Sequence, residues 1–335
     1  MDDVIDELKN IIERKSSGDI DDFLLMNDHY TPIKIDKKNF HPIQDFRPEL
    51  SNSRWLIIDG GNSIIFDSPS FCLGLIRVAG LVYEANKRIS RNISEFYVLI
   101  TEVDGKYIVK TFPETSFNGL VFDPADDLLK IGKEKCTISR IVSVIRRFAE
   151  LEHAYALDKD DIGFIILDGT LEARYPHEID YLNKLYLTGK AAALSKTCAL
   201  TTKQGFSITK KLLDMSQDGA SWYYYPIVIN NNPEHNADIY FIRLYGKSDY
   251  VFRFELQKGL VDGSIFSLLS MNSKDPIFLG YPYGFIDVDQ NARINDEESK
   301  MLATRLAAKL GKSWNTLAKT LNSVNAHDIL DKIRF

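Results

Sequence analysis

Cysteine is scarce in this chain. Cys72, Cys136 and Cys198 are the whole complement, none in a Cys-x-x-Cys pair and none within a Cys/His cluster. Their spacing offers neither a disulfide framework nor a zinc-ligand set, and each thiol is expected as a small core residue. Long hydrophobic runs are also missing. No segment reaches the roughly 18 apolar residues of a membrane-crossing helix, and the acidic start Met1-Asp2-Asp3-Val4 lacks the basic-then-apolar order of a signal peptide. The expectation is a cytoplasmic protein with no membrane partner. Positive charge is not in excess either. The formal net charge is −6, whereas a protein that grips phosphates unaided carries a basic surface. A nucleic-acid partner would have to be held by a local basic patch, by metal ions or by a second protein. Tandem repeats and low-complexity tracts are absent as well, and with 44% hydrophobic residues disorder is not the default. The length of 335 residues suits about two domains or one elaborated α/β domain.

Against these absences stand two near-duplicate segments, Trp55-Leu56-Ile57-Ile58-Asp59-Gly60-Gly61 and Phe164-Ile165-Ile166-Leu167-Asp168-Gly169-Thr170. Each reads as a buried strand that runs out at a carboxylate followed by glycine. That position holds a charge rigidly yet leaves it open, and glycine admits a close ligand or backbone. Two such carboxylates on neighbouring strands would offer hard oxygen ligands to a divalent cation, as phosphodiester chemistry requires. The plain alternative is that each Asp-Gly is a turn after a strand.

Apolar spacing predicts an amphipathic helix over 3–14, followed to residue 53 by a connector that Pro32, Pro42 and Pro48 break up. This 1–53 arm is expected to pack on the body or on a partner, and 54–335 to form one catalytic domain. Strands are expected at 54–59, 73–83, 96–102 and 106–112, the last two joined by the turn Val103-Asp104-Gly105. A helix over 138–157 and a strand over 162–168 follow. A meander, a helix and a returning strand that ends in aspartate is the opening of a ribonuclease H-like fold: an α/β mixed sheet with flanking helices, here with a C-terminal elaboration. Further on, helices are expected at 178–187, 205–215, 259–271 and 296–309, and strands at 191–196, 222–229, 238–246 and 249–256. The run Trp222-Tyr223-Tyr224-Tyr225 reads as alternating strand core and surface rather than a stacking platform.

A hard cation needs more oxygens than two aspartates give. The intervening helix offers Glu150 and Glu152. Periodicity places Glu152 on the stripe of Ile145, Phe148 and Tyr155 and turns Glu150, with Arg147, toward solvent. A carboxylate on an apolar stripe asks for a cation, and a salt bridge to a nearby Arg or Lys would serve equally.

Taken in order, Ile58-Asp59-Gly60-Gly61, Ala149-Glu150-Leu151-Glu152, Leu167-Asp168-Gly169-Thr170-Leu171, Ser195-Lys196-Thr197, Phe252-Arg253-Phe254-Glu255, Gly280-Tyr281-Pro282-Tyr283 with Asp289, and Ala326-His327-Asp328 resemble the NurA nuclease family from about residue 54 onward. The resemblance implies a ribonuclease H-like dimer that cleaves DNA with manganese or magnesium, acting on single- and double-stranded ends as a 5′-to-3′ exonuclease and single-strand endonuclease. It implies as partner the HerA-type hexameric ATPase, in end resection, repair or antiviral defence. Carried over by position, Asp59, the helix glutamate, Asp168, Asp289 and His327 would hold the metal, two ions being expected. Lys196 and Tyr281 would stand near the reacting phosphate. The family pattern leans to Glu150 where periodicity leans to Glu152, and we take Glu152 as the expectation. The chain also reads Asp-Gly-Gly where the family commonly has Asp-Gly-Ser.

The same residues have plainer readings. Lys196 could be a solvated strand end, Tyr281 and Tyr283 could simply pack around Pro282, and His327 could be a surface or helix-start residue. Two other functions remain open: an actin-like-fold kinase, which uses a similar turn to hold phosphate but whose late adenosine motif is missing here, and a non-catalytic subunit that binds DNA ends or a partner.

Overall fold

In a computed structural model, the described residues are 1–17, 23–45, 50, 52–130, 132–198, 200–260 and 262–324. In chain order the elements are α1 (Asp2–Ser17), β1 (Tyr30–Pro32), β2 (Phe40–Pro42), β3 (Arg54–Asp67), β4 (Phe71–Glu84), β5 (Lys87–Val103), β6 (Lys106–Phe112), β7 (Val121–Phe122), α2 (Arg140–Ala156), β8 (Ile162–Asp168), α3 (Glu178–Tyr186), β9 (Ala191–Ser195), α4 (Ile208–Met215), β10 (Trp222–Tyr224), β11 (Val228–Asn230), β12 (Ala237–Arg243), β13 (Phe252–Gln257), α5 (Ser264–Asn272), α6 (Tyr283–Ala292), α7 (Asp296–Leu310) and α8 (Ser313–Val324). They cluster into two compact units: Met1–Ser53 with Asp168–Glu172 and Gly189–Tyr283, and Arg54–Leu167 with Ala173–Thr188 and Gly284–Phe335. Residues 1–53, expected as an arm that packs on the body or on a partner, cluster with 189–283.

The unit that begins at Arg54 is built on strands in the order β8-β3-β4-β5-β6-β7. β3, β4, β5 and β6 form an antiparallel meander, and β8 returns parallel to β3. This is the ribonuclease H-like mixed sheet that the element order predicts. Trp55, Leu56, Ile57 and Ile58 are all buried, because β3 lies inside the sheet with helices packed on it, and a strand covered on both faces reads as a continuous apolar run. Burial of each contributes roughly 2 kcal/mol. α2 packs on β3, β4 and α3, and α7 on β3. The last two helices are fastened through ions and rings. Arg77 on β4 binds Glu298 of α7 and Glu95 of β5, while Trp314, Leu317 and Leu321 of α8 pack on the cluster of Ile65, Phe66 and Leu75. α7 starts at an Asn295 cap that accepts the Glu298 amide at 2.8 Å, followed by three acidic residues that suit a helix N-terminus.

The other unit carries an antiparallel sheet in the order β2-β10-β12-β13-β9 and a separate β1-β11 pair. Its core joins Leu24, Tyr30, Ile208, Leu212, Trp222, Tyr224, Ile239 and Phe241. Trp222 and Tyr224 point inward while Tyr223 and Tyr225 stack on Phe266 and Tyr240, as the alternation predicts. The strand expected over 222–229 is interrupted at Pro226, which has no amide to donate.

Several expectations are corrected. β3 does not stop at Asp59 but continues to Asp67, paired with β4 apart from a bulge at Ile65. β5 begins at Lys87 rather than 96, since residues 87–95 pair with β4 while their mostly polar side chains are exposed and leave only Ile89 and Ile93 as apolar signal. α6 and α8 were not expected. The helix expected over 3–14 is α1, whose Val4, Ile5 and Leu8 are exposed. Cys72 and Cys136 are buried as expected and Cys198 is half-buried, all three as free thiols. Among the described residues, no helix is long and apolar enough to cross a membrane.

Candidate active site

The parallel pairing of β3 and β8 ends at the partners Ile58 and Leu167. The next residues are Asp59 and Asp168. Both therefore stand where two adjacent strands part, even though β3 itself runs on beside β4. Asp59 is buried, and its Oδ1 accepts the Gly60 amide at 2.8 Å.

Within the same unit α2 brings Glu150 against the backbone at Gly60. A Cβ built on Gly60 would lie 2.6 Å from Glu150 Oε1. Arg146, one turn earlier on α2, donates to the Gly60 carbonyl at 2.9 Å and also to Glu150. Arg147 stands 3.6 Å from the other Glu150 oxygen and donates to Glu178 Oε1 at 2.8 Å. Glu178 in turn accepts the amides of Arg174 and Tyr175. The periodicity argument for Glu152 is thereby corrected. Glu150 is 3% exposed and Arg147 is buried with it, whereas Tyr155 is 44% exposed. Glu152 is half-buried and bonds Ser116. α2 is covered by α3 as well as by the sheet, so a stripe of residues outside the single apolar face is also buried.

Asp168 opens a turn fixed at nearly every residue. Lys196 Nζ lies 2.5 Å from its Oδ2. Gly169, at φ +130°, donates to the Leu194 carbonyl at 2.9 Å and accepts from Ser195 Oγ at 2.6 Å. The Leu171 amide donates to Glu255 Oε2 at 2.6 Å. Burial pushes the Glu255 carboxyl up, but Arg253 and then His235 outweigh it and hold it down to about 2.

Of the remaining expected site residues, Tyr281 and Asp289 have neighbours of their own. Tyr281 is buried with its ring on Phe252 and Phe278, so it packs. Asp289 pairs along α6 with Arg293 at 2.6 Å. Two residues earlier, Asp287 is the buried aspartate of that helix, accepting the Tyr83 hydroxyl at 2.6 Å and an Arg88 bond at 2.7 Å. His327 lies outside the described residues. Sequence reasoning missed Arg146, although an Arg four residues before a Glu on a helix is a readable pair. It also gave no role to Glu255, although a charge within the apolar strand Phe252–Gln257 marks a buried partner.

Asp59, Glu150 and Asp168 are hard oxygen donors of the type magnesium and manganese take, and two of the three already face a cation from the protein's own side chains. The donor chemistry thus fits a divalent ion. No group of three or more acidic, histidine or cysteine side chains is gathered as a metal cluster among the described residues.

The fold and these strand ends define an α/β protein with a ribonuclease H-like mixed sheet. No family model matches the sequence, and no curated protein matches it either. Among solved structures, the NurA nuclease from Sulfolobus solfataricus superimposes with a TM-score of 0.56 at 14% identity, covering 92% of this chain and 95% of that one. A second NurA structure gives 0.49 at 9% identity over 92% and 96%. Endonuclease V from Ciona intestinalis, solved with inosine-containing DNA, gives 0.40 at 12% over 75% and 87%. The shared fold rests on the first of these.

Proposed function

We propose that this chain is a divalent-metal-dependent deoxyribonuclease that hydrolyses DNA phosphodiester bonds. The observation that carries the reading is the β3–β8 register, which ends one residue before each aspartate. The fold shared with a NurA nuclease supports it. Asp59, Glu150 and Asp168 are the metal-holding carboxylates in this reading; they place the cation rather than move protons. Bound there, two manganese or magnesium ions would activate a water as nucleophile and stabilise the departing 3′ oxygen. Lys196 neutralises charge that builds on the scissile phosphate.

In its finer form the reading makes the protein a homodimer that works with a HerA-type hexameric ATPase on single- or double-stranded ends, as exonuclease and single-strand endonuclease, in resection, repair or defence. The net charge of −6 supports such a partnership, because a translocase that delivers DNA relieves the nuclease of capturing it alone.

The test is digestion of end-labelled single- and double-stranded DNA with manganese, with magnesium and with chelator, each with and without the ATPase and ATP. Wild type should cleave only with metal and much faster with the ATPase. Asp59→Asn and Asp168→Asn should each abolish cleavage with the fold intact. Cleavage retained by either variant removes that residue from the site, and a wild type inactive in every arm removes the nuclease reading.

A further inference from the structure

The buried polar cluster behind Asp168 has no part in the site as described. On β13, Glu255 is fully buried, with its Oε1 2.6 Å from Arg253 Nη2. His235, also fully buried, donates from Nε2 to Glu255 Oε2 at 3.0 Å. Its Nδ1 lies 2.8 Å from the Tyr30 hydroxyl, which donates to Glu172 Oε1 at 3.0 Å. Asn232 Nδ2 reaches the same Glu172 oxygen at 3.3 Å. Both far ends of this chain of contacts, the Leu171 amide and the Glu172 carboxylate, belong to the turn that starts at Asp168.

Buried charge is costly, and a well-packed apolar set of the same volume is commonly as stable or more so. A cluster of this kind therefore calls for an explanation other than stability. The Leu171 amide follows the end of β8 and has no strand carbonyl to meet, so an ionised buried carboxylate supplies its acceptor. We propose that Glu255, His235 and Tyr30 form a clamp that fixes residues 169–172 and thereby aims the Asp168 carboxylate. They are positioning residues, since their contacts run to the turn at 171–172 and would act on the metal only through Asp168. The proposal rests on the reading of Asp168 as a metal-holding group.

The experiment uses the full chain and two variants, Tyr30→Phe and Glu255→Gln. In metal-free protein, hydrogen exchange of the 169–172 amides should speed up about 10-fold, as loss of one buried hydrogen bond implies, with exchange over 162–166 unchanged. In cleavage assays the manganese concentration for half-maximal rate should rise about 10-fold while the rate at saturating manganese is largely kept. A merely structural role would instead lower the saturating rate and leave the half-maximal concentration in place. Should Glu255→Gln fail to fold, Tyr30→Phe, which removes a single hydroxyl, decides alone. Unchanged exchange, or an unchanged manganese requirement in a wild type that cleaves, overturns the clamp. A wild type without any cleavage removes the nuclease reading and with it the positioning role, while exchange still reports whether the turn is held.

Discussion

Lys196 Nζ sits 2.5 Å from Asp168 Oδ2, on a side chain that is 43% exposed where the aspartate is 12% exposed. An ion pair with one partner this open contributes at most about 1 kcal/mol to folding, so stability does not account for the lysine. In the proposed nuclease reading, its role is to neutralise charge at the phosphate. Lys196→Met should change thermal stability by less than about 1 kcal/mol and slow single-turnover DNA cleavage by about 100-fold. A variant that cleaves at the wild-type rate would make Lys196 a solvated strand end.

The two candidate glutamates on α2 separate cleanly. Glu150 is buried among Arg146, Arg147 and the Gly60 backbone, whereas Glu152 meets Ser116 at a half-exposed position. Glu150→Gln should abolish cleavage and cost about 3 kcal/mol in urea unfolding, because it leaves buried guanidinium charge less compensated. Glu152→Gln should leave activity near wild type and stability within about 0.5 kcal/mol. The reverse pattern would restore the assignment made from helical periodicity.

The mixed sheet was legible because its strands are long, apolar and separated by recognisable turns. The Asp104-Gly105 pair has positive φ at both residues, as a two-residue hairpin turn requires. The two aspartates were legible for a related reason, since each ends a run of four apolar residues. The Glu150 position was not. Helical periodicity assumes one buried face, and α2 is enclosed by both the sheet and α3. The start of β5 was also hidden, because Lys87 to Glu95 hydrogen-bond to β4 through the backbone while their side chains stay in water. The clamp behind Asp168 joins Tyr30, Glu172, His235 and Glu255, residues up to 225 positions apart in sequence, by side-chain bonds that no local pattern encodes.

Glycine at position 61 has a physical reason in this chain. A Cβ at Gly61 would overlap the carbonyl oxygen of Ala292 at the end of α6, and a backbone atom cannot turn aside as a side chain can. Gly61→Ser should therefore lower stability by about 3 kcal/mol, read from urea unfolding, and displace the end of α6. Equal or greater stability would mean that α6 can withdraw without loss.

His153, on α2, is half-buried, with its Nε2 shut off from water and unpartnered and its ring carbon Cδ2 beside Gly80 of β4. Burial holds its imidazole below the ordinary 6.5, against a smaller opposite effect of its bond to the Asn92 backbone. The unfolded chain therefore takes up a proton near 6.5 that the folded chain still refuses. Stability is complete above that pH and is lost as pH falls from 6.5 toward the lowered folded value. Thermal unfolding followed from pH 7.5 to 5 should show this decline in wild type. His153→Asn keeps a short donor able to reach Asn92 but cannot titrate, so its curve should be flatter over the same interval. Because His153 takes no part in the proposed chemistry, single-turnover cleavage at pH 7.5 should stay within about 2-fold of wild type in that variant. A decline as steep as wild type would place the responsible group elsewhere in the fold.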